Sequence, residues 1–207
     1  MIVAACKRAA FAFVTASLAL AIAAAACSRQ DAAVVEPGSY PAANSNDCLP
    51  QITLADQHGN AVALAALKGR PVLIDFIYTN CPGPCPLITA RMAAAAKLLG
   101  PRLGRQVTFV SITIDPEHDS PAVLLKYARE AGADTPGWLF LTGAPAKIDR
   151  LLALYHLQRS HGDNGTITHS VASFLLGPDG RQMRQYAPLE VKASTIAADI
   201  DRTSERG

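Results

Sequence analysis

The chain of 207 residues has one tryptophan, and aromatic residues make up only 6% of it. Its 19 basic and 17 acidic residues are interspersed, so the formal charge is only +2. With no basic stripe and few aromatic platforms, the sequence lacks what nucleic-acid binding needs, and no nucleic-acid partner is expected. Cysteine is scarce as well: of five, only Cys48, Cys81 and Cys85 lie beyond residue 27, and an odd three does not make a structural disulfide framework. Residues 28–47 lack hydrophobic periodicity and are rich in Ala, Ser, Asn and Pro, as a flexible linker is.

Charge is also missing from Ala9 to Ala26, behind the basic pair Lys7 and Arg8. This Ala-, Leu- and Phe-containing run reads as a targeting segment rather than part of a folded domain. It ends in Ala24-Ala-Ala-Cys27-Ser28, small residues before a cysteine, which resembles a bacterial lipobox and makes Cys27 the candidate for lipidation. The usual Leu three positions before the cysteine is Ala24, so an uncleaved anchor of about eighteen residues is the other reading. Both give residues 1–27 as a signal or lipoprotein anchor and place 48–207, one domain, outside the cytoplasm. A domain of this length buries a core without disulfide staples.

Along that domain, Gln51–Ala55 and Ala61–Leu64 flank the turn-prone Gln57-His-Gly-Asn60 and predict an opening hairpin. Pro71–Thr79 is nearly continuous in large apolar residues, as in a strand buried on both faces. Leu87–Leu99 predicts a helix and Gln106–Ile114 a strand. A helix follows from Asp119-Ser-Pro121, with Asp119 as its expected cap, then a strand over Trp138–Leu141 and a helix over Pro145–Tyr155. His169–Leu176 and Gln182–Tyr186 read as strands around the turn Gly177-Pro-Asp-Gly180, with a last helix from Leu189. This order favours an α/β fold with a mixed sheet flanked by helices. It matches the thioredoxin-like pattern with an added N-terminal β-hairpin.

The informative stretch is Cys81-Pro-Gly-Pro-Cys85-Pro86 at the end of the buried strand. Residues before proline are biased away from helical angles, so helix is expected to begin at Pro86 with Cys85 as its cap. A thiolate there gains from the unsatisfied amides and the helix dipole. Two thiolates held close either form a disulfide or bind a soft cation such as Cu(I), and spacing does not choose. His169 supplies a possible third ligand, although a lone histidine is more often structural. Asp75, six residues before Cys81, stands in an Ile-Asp-Phe pattern like that of thioredoxins, where a buried carboxylate exchanges protons with the thiol pair.

Taken together, Phe76 to Pro86, Val110 to Pro121, Leu141-Thr-Gly143, and His169-Ser170 followed by Gly177–Gly180 resemble the Sco/SenC family, over almost all of Ile52–Tyr186. The resemblance implies that Cys81, Cys85 and His169 bind one copper ion, Cu(I) by two sulfurs and one nitrogen, with a further ligand for Cu(II). It implies delivery of copper to the binuclear centre of cytochrome c oxidase, with the copper-bearing subunit or another copper client as partner. The expected location is the cell membrane, lipid-anchored, facing the periplasm or extracytoplasmic space. Some members act as thiol-disulfide reductants. The alternative function is therefore a membrane-anchored oxidoreductase in which Cys81 attacks and Cys85 resolves. A thiol peroxidase is a distant third, because no threonine-rich signature precedes Cys81.

The sequence departs from the family at Gly83 and Thr168, where acidic residues are common, which removes negative charge near the metal. His161 reads as a solvated loop residue or an auxiliary ligand, and Cys48 as a free or intermolecular thiol. Asp115, Glu117 and His118 are expected to face solvent.

Overall fold

The computed structural model describes residues 39–41, 48–162 and 167–204; the anchor read over 1–27, with Cys27, lies outside them. So does most of the linker read over 28–47, although Ser39–Pro41 within it forms a short strand, β1. The side chains of His161 and Thr168 are likewise outside the description. Among the described residues no helix is long and apolar enough to cross a membrane.

The opening hairpin forms as expected, β2 (Thr53–Ala55) pairing antiparallel with β3 (Ala61–Ala63). Asp56 shapes its turn by accepting from the amides of His58 and Asn60 at 2.9 and 2.8 Å. β4 (Val72–Ile77) is buried along its whole length, as its apolar run predicts. α1 (Pro84–Leu99) returns the chain to β5 (Thr108–Thr113), and α2 (Pro121–Glu130) leads to β6 (Trp138–Leu141). β4, β5 and β6 are parallel neighbours. Two crossovers of one hand advancing in one direction put α1 and α2 on the same face, where Thr89 and Tyr127 share a 2.9 Å hydrogen bond.

α3 (Pro145–Leu154) precedes a second hairpin, β7 (Arg159–His161) with β8 (Ile167–His169). β9 (Ser173–Leu176) then pairs antiparallel with β4, and β10 (Gln182–Tyr186) with β9, before α4 (Ala193–Ser204) packs along α1. The main sheet is thus mixed and six-stranded, in the order β1-β10-β9-β4-β5-β6. Phe76, Tyr155 and Phe174 form an aromatic cluster, with ring centroids 4.8 to 6.4 Å apart. Burying each large apolar side chain of β4 stabilises the fold by about 1.5–3 kcal/mol.

Three expectations are corrected. The strand read over His169–Leu176 is broken at Ser170–Ala172, so His169 ends β8 of a separate hairpin instead of opening β9. α1 begins at Pro84 with Gly83 as its cap, not at Pro86 with Cys85 as cap. Prolines are tolerated in a first turn because its amides have no intrahelical partner. The last helix starts at Ala193, after a turn in which the Glu190 and Val191 amides bond to Ala187.

Candidate metal and thiol site

Cys81 lies on the loop between β4 and α1, and Cys85 in the first turn of α1, so a fully buried strand and the longest helix among the described residues fix the two sulfurs together. Neither is in a disulfide, and both are buried. Burial pushes the Cys81 thiol up. The Cys85 amide, the Cys85 thiol, the Gly83 amide and the Tyr78 hydroxyl together outweigh it, and Cys81 is held below the ordinary thiol value. The helix N-terminus therefore serves Cys81, not Cys85 as the expected cap position implied. Cys85 is fully buried, and burial, the Cys81 sulfur and the Asp75 carboxylate drive its thiol well up, against a bond from the Tyr78 amide.

The loop is clamped from below by Asp119. Its carboxylate accepts from the Thr79 amide at 3.1 Å and from the hydroxyls of Thr79 and Thr113, tying the ends of β4 and β5. The cap of α2 is instead Ser120, whose hydroxyl accepts from the Val123 amide. Asp115, expected at the surface, is buried and meets Nδ1 of the exposed His118 at 2.8 Å.

Asp75 is 1% exposed in the middle of β4, with Ser111 and Ser173 directly opposite on the two neighbouring strands. Neither carboxylate oxygen has a full hydrogen-bond partner, nor does the Ser173 hydroxyl. Ser111, which receives the Trp138 indole N–H at 3.0 Å, offsets only part of the burial. Burial pushes the Asp75 carboxyl up to about 7.

His169 is positioned from two sides. Its register partner on β7 is Arg159, whose side chain is 9% exposed and whose guanidinium pairs with Asp149 at 2.9 Å and Glu117 at 3.8 Å and bonds to the Ile114 carbonyl. Its ring meets that of Tyr78 edge-on, with centroids 5.8 Å apart. Nδ1 lies 2.9 Å from the Ser170 carbonyl, a bond that makes Nδ1 the protonated nitrogen and leaves the lone pair on Nε2. Nε2 is buried without a hydrogen-bond partner, and burial holds the imidazole below its ordinary value. An orphaned imidazole nitrogen and two thiolate sulfurs are donor types suited to Cu(I).

The structure brings Cys81 and Cys85 together but does not gather His169 onto them: among the described residues no three His, Cys, Asp or Glu side chains form a metal-holding group. Between them stands Tyr78, which sequence reasoning left as one more apolar residue of the strand. Cys48 is 4% exposed and its backbone is tied to Gly180 and the Tyr155 hydroxyl, so it belongs to the core rather than to an intermolecular contact.

A mixed sheet with two cysteines at the junction of a central strand and its following helix defines a thioredoxin-like protein. The SCO1/SenC family profile matches residues 41–205, and the chain belongs to that family. It is 34% identical over 157 residues to the SCO1 protein homolog of Bacillus subtilis, covering 73% of this chain and 80% of that one. The solved structure of BsSco, described as having a disulfide switch and as a member of the Sco family of cytochrome c oxidase assembly proteins, is 30% identical with a TM-score of 0.69. The match spans 81% of this chain and 98% of that one. Bradyrhizobium japonicum ScoI, solved with copper bound, is 31% identical with a TM-score of 0.60, over 73% of this chain and 96% of that one.

Proposed function

We propose that this protein binds one copper ion through Cys81, Cys85 and His169 and delivers it to the binuclear copper centre of cytochrome c oxidase. Lipid on Cys27 would hold the domain at the extracytoplasmic side of the membrane. The observation that carries the reading is an imidazole whose Nε2 is buried and unpartnered, packed on Tyr78, three residues before the first of two neighbouring thiols. A buried polar atom is costly to leave unpaired, and a metal is one partner that answers it. Soft thiolates select Cu(I), and an already acidified Cys81 lowers the cost of releasing its proton to solvent when the metal binds. The copper-bound Bradyrhizobium relative and the assembly role named for BsSco support the assignment of cargo and client. The test is a Cu(I) competition titration of the reduced protein. One ion per chain is expected, and a Cys81→Ser/Cys85→Ser double variant that held copper as tightly as wild type would place the site elsewhere.

A second reading, thiol-disulfide exchange, is favoured by Asp75 and by the opposed thiols. Cys81, the more acidic, attacks a client disulfide and forms a mixed disulfide while the client's other sulfur leaves as a thiolate. Cys85 then gives its proton to the Asp75 carboxylate and displaces the client's remaining sulfur. The pair ends oxidised to one disulfide and the client reduced by two electrons. Asp75→Asn keeps the shape and removes the acceptor, so exchange with a small disulfide is expected to slow across neutral pH. An unchanged rate profile would leave Asp75 structural.

A further inference from the structure

A cavity of about 480 Å³ opens at the end of the sheet opposite the thiols. It lies where β5 and β6 begin, between the last turns of α1 and the turn that enters β6, whereas Cys81 follows the end of β4. These strands are parallel, so the length of a six-residue strand, about 20 Å, separates the two places. Neither the copper chemistry nor the thiol chemistry uses it. Its volume falls within the range of about 300–1,000 Å³ found for small-molecule sites. Ala93, Ala96 and Leu103 line it with apolar surface over the buried indole of Trp138, and Lys97 and Arg105 are its charged lining residues among those described.

The cavity is built before any ligand arrives. Gly104 and Gly137 meet backbone to backbone, so closely that a Cβ on Gly137 would overlap the Gly104 chain, and this fixes the Leu103–Arg105 wall to the Pro136–Trp138 wall. Pro101 and Pro136 stiffen the two rims. The floor is fixed as well: the Trp138 indole donates to Ser111 at 3.0 Å, stacks on Phe140 and meets Phe109 edge-on, both with ring centroids 5.5 Å away. Leucine, proline and alanine C–H groups over an indole form a surface on which a flat aromatic ring packs. The charge of the site is unbalanced. Among the described residues neither Lys97 nor Arg105 has an acidic partner, and the nearby acids are taken, Asp134 by Arg129 at 3.2 Å and Asp201 by Arg102. Two such cations beside apolar walls are complementary to an external anion, and a guanidinium fork donates two parallel bonds to a carboxylate. We propose that this cavity binds a small aromatic carboxylate, its ring over Leu103 and Trp138 and its carboxylate between Lys97 and Arg105. The site is independent of the copper and thiol readings and stands or falls apart from them.

The probe is naphthoate, with naphthamide as its uncharged twin, each titrated into the full chain carrying heavy nitrogen for magnetic resonance. Trp138 is the one tryptophan of the sequence, so its indole N–H gives a single resonance that reads the cavity floor. Naphthoate is expected to move that resonance saturably, together with the amides of Ala96 and Gly132, and to leave the Cys81 amide in place. Naphthamide should bind about ten-fold more weakly, the worth of two exposed charge-assisted contacts. Added salt should shrink that preference. The double variant Lys97→Gln/Arg105→Gln, at two exposed positions, should keep the fold and bring the two compounds to equal affinity. An indole resonance that does not move up to the solubility limit of naphthoate would overturn the site. Equal binding of the two compounds by the wild type, or a preference for naphthoate that survives in the double variant, would overturn it too, because the cations would then play no part in recognition. Movement confined to the Cys81 amide would place binding at the thiol end and would equally overturn the proposal.

Discussion

The two halves of the candidate site are built in opposite ways. Cys81 and Cys85 sit where β4, buried over all six of its residues, feeds α1, the longest helix among the described elements. Hydrogen bonds that Asp119 accepts from Thr79 and Thr113 lock that junction to the neighbouring strand. His169 sits on a three-residue strand of a hairpin that joins no other strand among the described residues, anchored by the buried Ile167, by Arg159 on β7 and by the ring of Tyr78. One half is fixed by the sheet. The other is attached by one buried apolar side chain and a few polar and ring contacts, each worth little alone. Under the proposed copper reading this division is useful, since the sulfurs would keep their spacing while the third ligand could adjust to the ion.

The largest expected effect lies within the fixed half. Asp75 has an ordinary carboxyl value near 3.8 when unfolded and is pushed up to about 7 in the fold, so between those values the native state holds a proton that the unfolded state has lost. Stability therefore falls as pH rises from about 4 to about 7 and levels off above, by roughly 4 kcal/mol as an order of magnitude. Urea denaturation across that range should show the slope in the wild type and lose it in Asp75→Asn. A slope that persisted in the variant would assign it to another group.

Breaking a sulfur comes next. Cys85→Ser removes a ligand without a volume change large enough to unfold the protein, and Cu(I) affinity is expected to fall by more than about 100-fold, beyond the range seen for partners that only support a ligand. His169→Ala should cost less, about 10- to 100-fold, because two sulfurs still hold Cu(I). Reduction of a model disulfide by this variant should largely persist, as imidazole forms no part of a disulfide. Loss of both activities in a folded His169→Ala protein would contradict the division into two halves.

The smallest effect sharpens the comparison. Arg159→Met keeps the apolar stem but unties β7 from Ile114 and Asp149, so Cu(I) affinity should drop about five-fold while thiol-disulfide exchange stays at the wild-type rate. A matching drop in exchange would mean that Arg159 supports the sheet and not the hairpin alone.

What the sequence made legible follows the same division. The apolar run of β4, the period of the helices and the turn residues around Gly59 and Gly180 carry local signals, and the body of the fold follows from them. The Cys81–Cys85 pair was visible because its prolines and its place after a buried strand are also local. The β7–β8 hairpin was not, since Arg159–His161 is short and polar, and its pairing with Ile167–His169 has no apolar alternation to reveal it. Asp119 looked like a cap because it precedes Ser120-Pro121; the carboxylate turns inward because Thr79, forty residues away, offers an amide and a hydroxyl. Tyr78 was hidden by its ring, which fits the apolar run so well that its edge-on contact with His169 left no trace in the pattern.

The central claim is that copper meets two sulfurs from the sheet junction and one nitrogen from the hairpin. X-ray absorption at the copper edge of the Cu(I)-loaded full chain tests it most directly, read beside the same spectrum of His169→Ala. The account predicts two sulfur neighbours and one nitrogen neighbour in the wild type, and the nitrogen alone lost in the variant. A wild-type spectrum with no nitrogen neighbour, or a nitrogen that survives the loss of His169, would contradict it.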